Sequence, residues 1–381
     1  MNLKLKGANV YVAGTFKKRD LFVTNDCIYS IGSGNEVCVL EFNHGEIIEK
    51  KIDSFNNISA RVIDLDNSFI LPSFCDVHVH FREPGYEYKE TIKTGSQASA
   101  RGGYTTVCTM PNLIPAPVDK KTLDVQLEAI KKDAVINVIP YGAITANQSG
   151  RGELSRMREM ADYVVAYTDD GLGVQTKDLM KVAMHEAKSL GKIIVAHCED
   201  EEILARGDVR KSEWKQIERD VMLSEETGCP YHVCHVSTKE SVEIIREARK
   251  SNIDVTCETA PHYLMLNDEK VDYTSGSYKM NPPIKTELDR KALIEGINDG
   301  TIGIIATDHA PHSKAEKARG FEGSLNGIVG LETAFSTLYS NLVLKEEISF
   351  ETLIKCMAAN PRKRFDIKES GLAVVILMKN I

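Results

Sequence analysis

An α/β architecture, a (β/α)8 barrel carrying a small β domain, is the fold this sequence predicts. Three observations predict it. From Ile70 onward, eight apolar runs of strand length alternate with helical periods. The residues that close these runs are mostly His, Asp, Asn and Arg, gathered at the same end of each run. Residues 1–69 lack that alternation and read as a separate unit.

The first unit has β-like runs at Leu3–Val12, Leu21–Ile31, Val37–Phe42 and Ala60–Leu65, punctuated by Gly, Asn and Asp. No helical period interrupts them, so a small antiparallel β unit is expected, with Gly45–Asn57 as a loop or extra hairpin. The strands of the larger unit are expected at Ile70–His80, Thr105–Pro111, Val135–Ile144, Tyr163–Thr168, Lys192–His197, Tyr231–Val236, Asp254–Thr259 and Gly303–Thr307. Helices are expected at Tyr88–Ala100 (stopped by Gly102 and Gly103), Asp119–Lys132, Lys177–Leu190 (stopped by Gly191), Lys239–Lys250 and Glu287–Ile297. In Lys239–Lys250, Val242, Ile245 and Arg249 fall near one face. Buried parallel strands with crossover helices explain the pattern. Eight units over about 240 residues match a TIM-like barrel. A doubly wound open sheet would bring a Gly-rich phosphate turn after the first strand, and the sequence has none there. The expected domains are residues 70–362 for the barrel, and 1–69 with about 363–381 for the β domain.

Bulk properties narrow the function. The 381 residues carry a net charge of −8, so no basic footprint for nucleic acid or an anionic membrane is present. No apolar run approaches the ~20 residues of a membrane span, and no basic-then-apolar leader precedes the first strand. The nine cysteines form no Cys-x-x-Cys pair, and five sit in apolar runs: Cys75, Cys108, Cys198, Cys234 and Cys257. They read as small buried thiols in a reducing, cytoplasmic setting.

The stretch from Phe74 to Gly85 organises the rest. Residues i and i+2 of a strand face the same side, so His78 and His80 point together, and Arg82 continues that face. Two imidazoles on one rigid strand suit zinc or a similar divalent ion, although an isolated His-x-His is as often two unrelated polar residues. The other strand ends decide it. They carry Asn112, Asp169 and Asp170, His197, His235, and Asp308 with His312. In a barrel all such ends surround one mouth. Taken singly, Asp169, Asp170 and Ser237 read as helix caps. Their joint pattern, imidazoles with carboxylates, points to a metal site.

These residues lie in motifs that resemble the amidohydrolase superfamily and, within it, the bacterial dihydroorotases of the longer, aspartate-bridged type. The motifs span about Leu71 to Arg362: the run Asp76–Gly85, Thr-Met-Pro-Asn ending at Asn112, Thr-Asp-Asp-Gly at 168–171, His-Cys-Glu-Asp at 197–200, and His-Val-Ser-Thr-Lys-Glu-Ser from His235. Glu-Thr-Ala-Pro-His-Tyr-Leu from Glu258, Met-Asn-Pro-Pro at 280–283 and Thr-Asp-His-Ala-Pro-His at 307–312 complete them. The resemblance implies one zinc on His78, His80 and Asp308 and a second on His197 and His235, with a bridging carboxylate between. Hydantoinases and allantoinases use a carboxylated lysine there. This sequence offers Asp169 and Asp170 and no lysine at that strand end, so Asp170 is the expected bridge.

The resemblance further implies one or two zinc ions per subunit, two being favoured. It implies reversible cyclisation of N-carbamoyl-L-aspartate to (S)-dihydroorotate in pyrimidine biosynthesis, in the cytoplasm. A metal-bound hydroxide would attack the ring amide, with Asp308 as general acid and base. Arg82 and Asn112, with Asn281 and His312, would meet the substrate. On residues alone, Asn281 reads as a turn residue and His312 as an exposed loop residue. His262 is expected to be structural, and His44, His185 and His232 to be surface or core. His309 neighbours Asp308 but is expected to point away. The alternatives are a hydantoinase- or allantoinase-like enzyme, or a subunit that scaffolds aspartate carbamoyltransferase; a homo-oligomer is also expected. Compared with the family, the segment between Asp200 and His232 reads as short, and Ser324–Gly327 replaces a Pro-Phe-Gly-like loop. The C-terminal run Leu372–Met378 provides one strand, leaving an expected β domain that is incomplete with an exposed edge.

Overall fold

The computed structural model describes residues 2–24, 27–32, 36–52, 59–65, 68–368 and 371–375. Two compact units emerge: Met1–Cys75 with Gly103–Thr105 and Ile354–Ile381, and Asp76–Gly102 with Thr106–Leu353.

The smaller unit is built on β1 (Leu3–Val12), β2 (Thr15–Val23), β3 (Ile28–Ile31), β4 (Val37–Asn43), β5 (Glu46–Lys51), β6 (Arg61–Asp64) and β7 (Phe69–Pro72). Strands β1 to β5 form an antiparallel meander, and β6 and β7 pair with β1 in parallel. The pair His44-Gly45 has positive φ at both residues, and Asn43 faces Glu46 across it. That is a two-residue hairpin turn, so the hairpin alternative holds for residues 45–51; residues 53–58 lie outside the described residues. Leu5, Val10, Val12, Leu21, Leu40, Ile47 and Ile70 form the apolar core. A further strand, Leu372–Val375, pairs antiparallel with β7, and the remainder of the expected run to Met378 lies outside the described residues.

The barrel is laddered by β8 (Phe74–Val79), β9 (Tyr104–Thr109), β10 (Asn137–Pro140), β11 (Ile194–Ala196), β12 (Tyr231–Val233), β13 (Val255–Thr259) and β14 (Ile304–Ile305). Two parallel ladders, β8-β9-β10 and β11-β12-β13-β14, run through it. Tyr167 joins them by bridging Gly142 and Ile194, and so forms the fourth stave. The ring closes where Val79 bridges His309. The Asp76 carboxylate reinforces this seam by accepting the Thr307 and His78 amides.

Most of the observed strands are shorter than the apolar runs; β8, β11 and β12 stop short of His80, His197 and His235. The run Ile70–His80 divides at Ser73 into β7 and β8. Helix Ile92–Arg101 starts late because Thr91 supplies a capping box with Thr94. Helices Lys120–Asp133, Lys177–Ser189, Lys239–Lys250 and Glu287–Asn298 match expectation within a residue or so, each with a Thr or Asp N-cap. In Lys239–Lys250, Val242 and Ile245 are buried, but Arg249 turns outward to donate to the Thr301 carbonyl at 2.8 Å. The segment between Asp200 and His232 is largely one long helix, Val209–Thr227.

Candidate metal centre and substrate cavity

β8 is buried along its whole length, and its two-residue period delivers His78 and His80 to one side. His78 Nε2 lies 3.5 Å from Asp170 Oδ1 and 3.4 Å from Asp308 Oδ1. His80 Nε2 lies 3.1 Å from Asp308 Oδ1 and 3.5 Å from Asp170 Oδ2. From the far side, His197 Nδ1 and His235 Nε2 stand 3.8 and 3.7 Å from Asp170 Oδ1. One carboxylate, Asp170, is thus ringed by four imidazoles carried on three different segments.

The structure separates the two adjacent aspartates. Asp169 turns away and accepts the amides of Ile144 (2.8 Å), Thr145 (3.1 Å) and Gly150 (2.9 Å) together with the Thr145 hydroxyl. It shapes the 144–150 loop and has no lone pair to spare. Neither aspartate caps the next helix, whose N-cap is Thr176. His235 and Asp308 both have left-handed backbones, φ 33° and 48°. A non-glycine residue adopts these at a cost of order 1 kcal/mol, and such outliers cluster at functional sites.

Electrostatics bind the cluster together. Burial alone would raise the Asp170 and Asp308 carboxyls, but the surrounding histidines, His78 first, hold both below the ordinary range. Burial opposes charge on His78, and Asp170 and Asp308 outweigh it, raising that imidazole well above its usual value. Both His78 Nε2 and Asp170 Oδ1 are buried without a hydrogen-bond partner among the described residues. Such orphans are costly unless something binds them. Two triads, His78–Asp170–His235 and His78–His80–Asp308, keep their donor atoms within 4.8 Å of one another. Imidazole and carboxylate form the donor set of a borderline divalent ion, so the residues fit a metal. A third triad, His78–Cys234–Glu258, does not: His78 Nδ1 and Glu258 Oε1 are 2.6 Å apart and satisfy each other, leaving no room for an ion.

Beside the cluster opens a cavity of about 180 Å³, and every sequence-chosen site residue except His78 lines it. Arg82 is nearly buried, donates Nε to the Pro311 carbonyl at 3.1 Å, and has no ion pair among the described residues. Asn112 accepts from His80 Nδ1 at 2.9 Å, so it sets that ring as well as facing the cavity. Asn281 donates to Glu199 at 3.3 Å. His312 is held on both edges: Lys89 Nζ lies 3.1 Å from Nδ1, and Nε2 donates to the Asn326 carbonyl at 2.7 Å. Burial and the Arg82 charge push its pKa down to about 4, so it is neutral at pH 7. It is not the exposed loop residue its neighbours alone would suggest. Asn326 and Gly327, of the Ser324–Gly327 segment, also line the cavity.

The other histidines sort as expected. His185 is exposed, His44 pairs with Asp366, and His262 is buried. His309 points away to Glu90 at 3.1 Å. His232 is a core residue, bonded to Glu258. Glu258, Glu199 and Lys89 were not singled out from sequence. The one available signal was Glu258, the single charged residue inside strand β13.

Comparison with known proteins places this geometry. Residues 67–241 match the family described as dihydro-orotase-like. A dihydroorotase of Fusobacterium nucleatum is 50% identical over 351 residues, 87% of this chain and 82% of its own. One of Bacillus caldolyticus is 44% identical over 352 residues, 88% of this chain and 82% of its own. Among solved structures, the L-hydantoinase of Arthrobacter aurescens aligns with TM-score 0.77 at 24% identity, over 96% of this chain and 82% of that one. A dihydropyrimidinase of Brevibacillus agri aligns at 0.76 with 20% identity, over 96% and 82%. At those identities the structural likeness speaks for the barrel fold alone. The sequence relatives go further, and with a barrel mouth of four histidines and two aspartates behind them, the chain belongs to the dihydroorotase family.

Proposed function

We propose that this protein is a zinc-dependent dihydroorotase, interconverting N-carbamoyl-L-aspartate and (S)-dihydroorotate in the cytoplasm as a step of pyrimidine biosynthesis. The observation that carries this reading is the shared cavity: a buried Arg82 guanidinium, with no ion pair among the described residues, faces the same space as the histidine–aspartate cluster. A substrate joining a carboxylate to a cyclic amide by a short span fits both ends.

Zinc, held by His78, His80 and Asp308 and by His197 and His235 with Asp170 between, would polarise the amide carbonyl and acidify the attacking water. Asp308, kept ionised by His78 and His80, takes the water proton as the carbon–oxygen bond forms. It returns that proton to the ring nitrogen as the carbon–nitrogen bond breaks. In the cyclising direction the same proton travels back and water leaves. Arg82 offers two parallel N–H groups to the substrate carboxylate. Asn281 and the neutral ring of His312 wall the site, and Asn112 keeps His80 Nε2 turned inward.

The test is turnover of L-dihydroorotate and N-carbamoyl-L-aspartate by the zinc-loaded protein, with His78→Ala as control and hydantoin and allantoin as competing substrates. Turnover of the first pair, lost in the control, is expected. Preference for hydantoin or allantoin would move the assignment to those enzymes. A folded, zinc-bound chain without turnover would overturn the stand-alone enzyme and leave the carbamoyltransferase scaffold.

A further inference from the structure

Behind the cluster, on the side away from the cavity, a line of polar groups runs through the barrel interior. His232 Nδ1 lies 2.8 Å from the Thr256 hydroxyl, His232 Nε2 lies 3.2 Å from Glu258 Oε2, and Glu258 Oε1 lies 2.6 Å from His78 Nδ1. His232, Glu258 and His78 are all buried. A carboxylate only accepts, so each imidazole nitrogen facing Glu258 carries a proton. The remaining nitrogen of His232 then accepts from Thr256, and the remaining nitrogen of His78 is Nε2. That atom has no hydrogen-bond partner among the described residues and faces Asp170 and Asp308.

We propose that Glu258 is a positioning residue for the centre. It fixes His78 with the proton on Nδ1 and the bare Nε2 turned to the metal, and His232 and Thr256 hold Glu258 in place. The proposal rests on the metal reading above and names what orients its most buried ligand. Glu258 is suited to this, because each of its carboxylate oxygens faces one imidazole, Oε1 that of His78 and Oε2 that of His232. The 2.6 Å contact is too close for Glu258 to be a ligand of an ion shared with His78. Carboxylates behind metal-bound histidines are worth about 10- to 100-fold in affinity or activity.

The experiment compares wild type with Glu258→Gln and Thr256→Val. Zinc affinity is measured by competition with a chromophoric chelator, and ring N–H protons are followed by NMR in the zinc-loaded protein. Glu258→Gln should bind zinc about 10- to 100-fold more weakly, and kcat for dihydroorotate should fall with KM nearly unchanged. The downfield Nδ1–H resonance of His78 should move upfield. Thr256→Val should shift each readout the same way by less. Unchanged zinc affinity and an unchanged resonance in a folded Glu258→Gln would overturn the proposal while leaving the metal reading standing. If Glu258→Gln does not fold, the wild-type spectrum decides: a His78 proton on Nε2 overturns it, and one on Nδ1 that moves in Thr256→Val supports it. Wild type that binds no zinc would overturn the metal reading and this proposal with it.

Discussion

At the scale of single residues, adjacent Asp169 and Asp170 have opposite tasks. Asp170 faces four imidazoles, whereas Asp169 is spent on three amides and a hydroxyl of the 144–150 loop. Asp170→Asn should therefore leave folding intact and cut kcat/KM by more than about 100-fold, beyond what outer partners cost. Asp169→Asn should act first on stability, at about 2 kcal/mol, read as a lower urea midpoint. His312 gives a pH prediction. Burial and Arg82 lower its folded pKa to about 4 from the ordinary 6.5. Its ring signals should not titrate between pH 5.5 and 8. The unfolded chain takes up this proton near 6.5 and the folded chain only near 4. This group therefore favours the fold above about pH 6.5 and loses that contribution as pH falls toward 4. A ring titrating near 6.5 in the folded protein would contradict the arrangement.

At the scale of elements, Asp289 ties three helices together. It completes the capping box of Glu287–Asn298, receives both Arg210 Nη groups from Val209–Thr227 at 2.7 and 2.6 Å, and accepts the Lys239 amide at 2.9 Å. Burial works against its charge, but Arg210 and Thr286 hold its pKa near 2. Its folded pKa is below the unfolded one, so its stabilisation is present above about pH 4 and fades as pH falls toward 2. Asp289→Asn should lower Tm at pH 7 by an amount equivalent to about 2 kcal/mol, and the gap should close in acid.

The elements also show what could be read in advance. Apolar strands and capped helices were legible, because their periods follow from which faces are buried. Helix Val209–Thr227 was not, because its buried face carries Ser212, Glu213, Gln216, Asp220 and Ser224 beside Ile217 and Val221, which blurs the 3.6-residue signal. The metal-site candidates were legible as strand-end types. The choice between Asp169 and Asp170 needed the family resemblance, since spacing alone leaves both at the same strand end. Glu258 and Lys89 were not legible, because their meaning comes from partners 180 and 223 residues away.

At the scale of the whole molecule, the barrel binds these parts into a ring. Two ladders and the Tyr167 stave make most of it, and the Val79–His309 bridge with the Asp76 carboxylate makes the last join. That join runs between the donors. His78 and His80 stand on one lip of the seam and Asp308 on the other, so a small parting there separates the ligands while every helix is still wound. In a urea series, turnover should therefore fail at a lower concentration than far-UV ellipticity. Added zinc, by stitching the two lips, should draw the two midpoints together.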